Sequence, residues 1–167
     1  MIRSQRVRVL CVDDNEFVLD SVKHLAAQTP DLEVIGTLRS ADTLETAVRD
    51  LDPDVVLLDL EMPGMDALAS LRRVSGAHPR VRVVVLTGTA DAASLERSLD
   101  AGAFGFVSKA DGPRDILDAV RGAAAGRPVF SPEARRMWEL AGACAPARPP
   151  VAAVDPPGAD GTPPPRA

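Results

Sequence analysis

Short runs of β-branched and aliphatic residues recur along the chain: "VRVLCV" from Val7, "LEVIGTL" from Leu32, "DVVLLDL" from Asp54, "VRVVVLT" from Val81 and the shorter "AFGFV" from Ala103. Between them, apolar residues fall at helical spacing. The stripes are Val18, Val22, Leu25 and Ala26; Leu44, Ala47, Val48 and Leu51; Leu68 and Leu71; Leu95 and Leu99; and Ile116, Val120, Ala123 and Ala124. Five strands alternating with amphipathic helices are therefore predicted. Local punctuation agrees: Ser40 and Asp91 suit helix starts, Gly102 suits a left-handed helix end, and Pro113 suits a first helical turn.

Such alternation predicts an α/β fold with a parallel sheet covered on both faces. For five units, the doubly wound order 2-1-3-4-5 of flavodoxin-like folds sets strands one and three side by side, with their carboxyl ends flanking the switch-point crevice. Asp13 and Asp14 end the first strand and Asp59 ends the third. A strand apolar enough for burial on both faces thus finishes on a charge. Taken singly, each acid has an ordinary reading, as a helix cap after "VD" or as a residue meeting solvent at the sheet edge.

The combination narrows the choice. The fourth strand ends in Thr87 and the fifth in "FVSKA" with Lys109, again at carboxyl ends. Two carboxylates about 4 Å apart repel by about 4 kcal/mol at an effective dielectric of 20, so three together require a cation. A hard divalent ion, with magnesium the best match, suits oxygen ligands, and Lys109 adds a positive charge. Magnesium, a lysine, a hydroxyl and backbone donors form a clamp for a transferring phosphoryl group, with Asp59 as nucleophile.

Composition changes the picture at three points. With 167 residues, 46% of them hydrophobic, the chain has material for one ordinary core. Four basic and four acidic residues follow Phe130, so the net charge of −5 falls entirely on residues 1 to 130 and counts against nonspecific nucleic-acid binding. The N-terminal apolar run is short and meets Asp13 and Asp14 at once, which excludes a signal peptide or membrane span there. Cys11 and Cys144 lie far apart and suggest neither a disulfide framework nor a zinc site, so a cytoplasmic location is expected.

The ordered motifs "VDDN", "LLDLEMPGMD", "VVLTG" and "GAFGFVSKA" resemble those of two-component response-regulator receiver domains of the CheY-like kind, over roughly Val7 to Arg127. The resemblance implies that Asp59 accepts a phosphoryl group from a histidine kinase or phosphotransfer protein. It also implies that Asp14 and Asp59 bind Mg2+ directly, Asp13 binds it through water, and the Glu61 backbone carbonyl is a further ligand. Thr87 and Lys109 would bind phosphoryl oxygens, and Phe106 would be the aromatic that follows the Thr87 switch. The readout face would then comprise the fourth helix, fifth strand and fifth helix. By the same resemblance the Glu61 side chain lies near the path of the hydrolysing water. Ala67 and Ala110 depart from the common pattern, where many members have glycine and proline, and neither touches the chemistry.

Domain organisation is expected as a receiver over residues 6–127, a short linker with a helix over residues 128–144, and a disordered Pro/Ala-rich tail over residues 145–167. The segment from Asp115 to Leu140 is similar to the end of NarL/LuxR-type receivers, yet the tail that follows, "APARPPVAAVDPPGADGTPPPRA", carries no helix-turn-helix pattern. Expected partners are a kinase and a downstream protein, without DNA or membrane, and a phosphorylation-dependent homodimer is compatible. Trp138 is expected to cover a receiver surface or meet a partner. Two rivals compete with this reading. An aspartate-nucleophile phosphohydrolase of the haloacid-dehalogenase kind wants an aspartate where Glu61 stands, and a pseudoreceiver would not need all five site residues. A transcriptional regulator truncated before its output domain is a variant of the leading reading.

Overall fold

The computed structural model describes residues 6–63 and 66–140, apart from the side chain of Trp138. Strands β1 (Val7–Val12), β2 (Leu32–Leu38), β3 (Val55–Asp59), β4 (Arg82–Thr87), β5 (Gly105–Ser108) and β6 (Val129–Phe130) form one sheet. Its order is β2-β1-β3-β4-β5-β6 and all pairings are parallel. Helices α1 (Glu16–Ala27), α2 (Leu44–Leu51), α3 (Ala67–Ala77), α4 (Ala92–Asp100), α5 (Pro113–Ala124) and α6 (Pro132–Leu140) connect and cover it.

Alternation along the strands builds two cores. Leu10, Val12, Val56, Leu58, Val83, Val85 and Phe106 face one side, beneath Leu44 and Val48 of α2, Leu71 and Val74 of α3, Leu95 and Leu99 of α4, and Ala134 of α6. Val9, Cys11, Val55, Leu57, Val84, Leu86 and Val107 face the other, beneath Leu19 and Val22 of α1 and Ile116 and Val120 of α5. The central strand β3 is buried throughout. Each fully buried Val or Leu contributes about 1.5–3 kcal/mol, so the register that carries Asp59 to the end of β3 is strongly fixed.

Local chemistry sets most helix ends. Asn15 caps α1 by accepting a hydrogen bond from the Phe17 N–H, and Asp91 caps α4 by accepting one from the Ser94 N–H at 2.8 Å. Gly102, at φ +99°, lets the chain leave α4 in the left-handed region. Pro113 occupies the first turn of α5. Ser40 does not cap α2. That helix begins after Thr43, and the Ser40 hydroxyl accepts a bond from the Asp42 N–H within the preceding turn.

The sheet has six strands, one more than the hydrophobic pattern predicts. A two-residue strand is too short to show a period of two, and its place depends on remote glycines. A Cβ at Gly105 would come within 2.7 Å of the Val129 carbonyl oxygen, and Cβ atoms at Gly105 and Gly122 would each approach a Val129 methyl to 2.6 Å. Val129 thus lies in a notch that only glycine leaves open. Beyond it, the Ser131 hydroxyl accepts from the Ser108 and Ala134 N–H groups and so joins the start of α6 to the end of β5. The helix expected near Pro132 is present. The Pro/Ala-rich tail, Cys144 and the surroundings of Trp138 lie outside the described residues.

Candidate functional site

The order β1-β3-β4 brings three strand ends to one crevice. At the end of β1 the Asp13 N–H donates to the Leu38 carbonyl, and Asp13 Oδ1 accepts from the Asn15 N–H at 2.9 Å. Capping of α1 is therefore done by Asn15, leaving Asp13 and Asp14 for the crevice. At the end of β3, Asp59 Oδ1 accepts from the Glu61 N–H at 3.0 Å. From β5, Lys109 opens a 3₁₀ turn (Lys109–Asp111) held by a bond from the Ala110 N–H to the Ser108 hydroxyl. Its Nζ reaches Asp13 Oδ2 at 2.7 Å and Asp59 Oδ2 at 3.0 Å.

Asp13 and Asp59 are each 2% exposed. Burial pushes the Asp59 carboxyl above its ordinary range; the Glu61 amide and Lys109 oppose this, and the charge on Asp13 adds to it. Burial also works against the charge on Lys109, but its hydrogen bonds to Asp13 and Asp59 outweigh that and hold its pKa above the usual lysine value.

Asp13, Asp14 and Asp59 each offer an oxygen atom, all within 4.8 Å of one another. Three carboxylates against one ammonium leave a formal excess of two negative charges, which a divalent cation matches. Asp13 Oδ2 is buried, and its close partner is the Lys109 ammonium at 2.7 Å. An all-oxygen donor set of three clustered carboxylates with an excess negative charge fits a hard ion such as Mg2+.

Thr87 is buried at the end of β4, and its hydroxyl donates to the Thr89 carbonyl at 3.1 Å while accepting from the Thr89 N–H at 3.2 Å. Phe106 is fully buried in the core shared with α4 and α6. The sequence places the Glu61 side chain near the hydrolysing water by resemblance but gives no sign of its partner across the crevice. Glu61 Oε2 accepts from the Gly88 N–H at 3.1 Å. Nor did it signal that Arg39 bonds the Asp14 carbonyl oxygen and the Glu16 carboxylate. Both contacts join loops remote in sequence and leave no local periodicity.

Residues 9–121 match the response regulator receiver domain family model. The chain belongs to the response-regulator receiver family. It is 35% identical over 134 residues to the response regulator GacA of Pseudomonas viridiflava, an alignment covering 80% of this chain and 63% of that protein. This receiver thus spans less than two thirds of the curated relative. A two-component response regulator of the LuxR family from Aurantimonas has a similar structure, with a TM-score of 0.77 at 25% identity over 83% of this chain and 99% of that one. The isolated receiver domain of RcsB from Salmonella enterica serovar Typhimurium, determined with phosphomimetic BeF3−, gives a TM-score of 0.72 at 25% identity, covering 79% and 98%. No helix among the described residues is long and apolar enough to cross a membrane.

Proposed function

We propose that this receiver takes a phosphoryl group from a phosphohistidine of a kinase or phosphotransfer protein onto Asp59. The observation that carries the reading is a 2% exposed carboxylate at a strand end, 3.0 Å from Lys109 and within one acidic cluster with Asp13 and Asp14. An Asp59 oxygen attacks phosphorus, the P–N bond breaks, and its electron pair returns to the imidazole. Lys109 offsets charge on the phosphoryl oxygens, and Thr87 gives up its bond to Thr89 to meet them. Asp13, Asp14, Asp59 and the Glu61 carbonyl would hold Mg2+, which when bound neutralises charge on the transferring group. The reaction ends as a signal, without turnover of an external substrate.

Acetyl phosphate with magnesium should place one hydroxylamine-labile phosphoryl group on the protein and none on Asp59→Ala. Labelling retained in that variant refutes the assignment. Steady hydrolysis of an external phosphomonoester would instead favour the phosphohydrolase reading. We further propose that these residues act in the cytoplasm and on a protein partner, the net charge of −5 on residues 1 to 130 counting against DNA phosphate contacts. Salt-sensitive, sequence-specific DNA binding by residues 6–140 would overturn that part.

A further inference from the structure

The Gly88 N–H stands at the carboxyl end of β4, two residues beyond Leu86, which pairs with Asp59 in the sheet. A backbone donor at the end of the strand adjoining the acceptor's, next to the Thr87 hydroxyl, is suited to an oxyanion carried on Asp59. In this structure the donor is already taken by an anion of the chain itself, Glu61 Oε2 at 3.1 Å. Residue 88 leaves room for that approach. A Cβ there would lie 2.8 Å from the same carboxylate oxygen, and among the described residues outside its chain neighbours only the Glu61 carboxyl group falls within 4 Å. The backbone at Gly88 lies outside the left-handed region, so glycine serves close approach here and not an unusual turn.

We propose that Glu61 is a positioning residue that acts as a built-in competitor. Its carboxylate occupies the Gly88 amide until a phosphoryl group on Asp59 displaces it. The proposal rests on Asp59 as phosphoacceptor and gives the Glu61 side chain a direction of effect. By holding Gly88, Glu61 keeps the loop in the arrangement in which the Thr87 hydroxyl is tied to Thr89. Both ties must break before hydroxyl and amide can turn to the phosphoryl oxygens. A ligand that needs the amide therefore binds more weakly than it would without Glu61.

Two substitutions disturb the contact from opposite sides. Glu61→Ala deletes the carboxylate and keeps the backbone carbonyl, whereas Gly88→Ala keeps Glu61 and the N–H but sets a Cβ 2.8 Å from the bonded oxygen, so the carboxylate must shift and the bond weaken. Beryllofluoride with Mg2+ serves as the probe, its binding followed by amide chemical shifts, which also report folding. Each single variant should lower the apparent Kd for beryllofluoride about five- to tenfold, the net contribution of one solvent-exposed hydrogen bond. The double variant should match the singles, and Glu61→Gln, a neutral acceptor, should fall between them and the wild type.

Additive effects, or a gain in Glu61→Ala that Gly88→Ala fails to reproduce, would show that Glu61 acts elsewhere and overturn the proposal. Unchanged affinity in all variants, with normal binding by the wild type, overturns it and leaves the Asp59 reading intact. No binding by the wild type, together with no acetyl-phosphate labelling, defeats both.

Discussion

Replacing Lys109 by methionine removes the one ammonium that contacts both Asp13 and Asp59 and keeps most of the apolar stem. The three carboxylates place oxygens within 4.8 Å of one another, and at that distance each charged pair repels by about 3.5 kcal/mol at an effective dielectric of 20. With two of the three buried, solvent screens little of this. The folded chain escapes by protonating one carboxyl, and Asp59, already pushed upward by burial, is the group poised to do so.

The sign follows from linkage. A carboxyl whose folded pKa is raised contributes its stability below the unfolded value near 3.9 and loses it as pH rises through the folded value. The deficit of Lys109→Met relative to wild type should be small near pH 4 and grow by up to about 1.4 kcal/mol per pH unit above it. It should level off near 3–5 kcal/mol, the cost of breaking a buried ion pair. Urea unfolding followed by circular dichroism between pH 4.5 and 8, with EDTA or with millimolar Mg2+, measures it. Magnesium should recover most of the loss at neutral pH, since the cluster then gains its compensating charge. A deficit that is flat with pH and indifferent to magnesium would refute the electrostatic account and leave only lost packing of the lysine stem.

Asp91→Ala should cost about 1 kcal/mol at pH 7 by removing the α4 cap. The Ser94 hydrogen bonds hold the Asp91 carboxyl below its ordinary value, so that difference should persist above the unfolded pKa and shrink as pH falls through the folded one, as thermal melts will show. Gly105→Ala should detach β6 while sparing the crevice: amide exchange should accelerate over Val129–Leu140 and acetyl-phosphate labelling persist, and unchanged protection there would refute the notch. Phe106→Ala should lower stability by about 3–5 kcal/mol in urea melts, because the ring is fully buried. Thr87→Ala should still accept a phosphoryl group but lose the chemical-shift response along α4 and β5, and an intact response would remove Thr87 from the switch.

The five principal strands and five connecting helices were legible because each carries its own period. The β3 run from Val55 to Leu58 needs no partner to announce that it is buried on both faces, and doubly wound topology then places Asp13, Asp14 and Asp59 at one crevice. Lys109 was legible in the same way, as a charge closing a buried strand, and the structure adds its contacts with Asp13 and Asp59. Capping was legible only where the side chain and its receiving amides are neighbours in sequence. Asp91 was found, whereas Ser40, chosen by residue type alone, turned out to serve a turn.

Tertiary structure decided what depends on distance between remote segments. Val129 pairs with β5 because Gly105 and Gly122, distant in sequence, leave room for its methyls, and no local pattern in a two-residue strand records that. The family resemblance sets the Glu61 side chain near the path of the hydrolysing water but names no partner for it. Only the adjacency of β3 and β4 brings its carboxylate to the Gly88 amide 27 residues away, and the missing Cβ at Gly88 leaves it room there. Sequence thus fixes which residues are apolar, charged or able to turn, since those are properties of single side chains and their neighbours. Which charge meets which donor across the crevice is set by packing of the whole sheet.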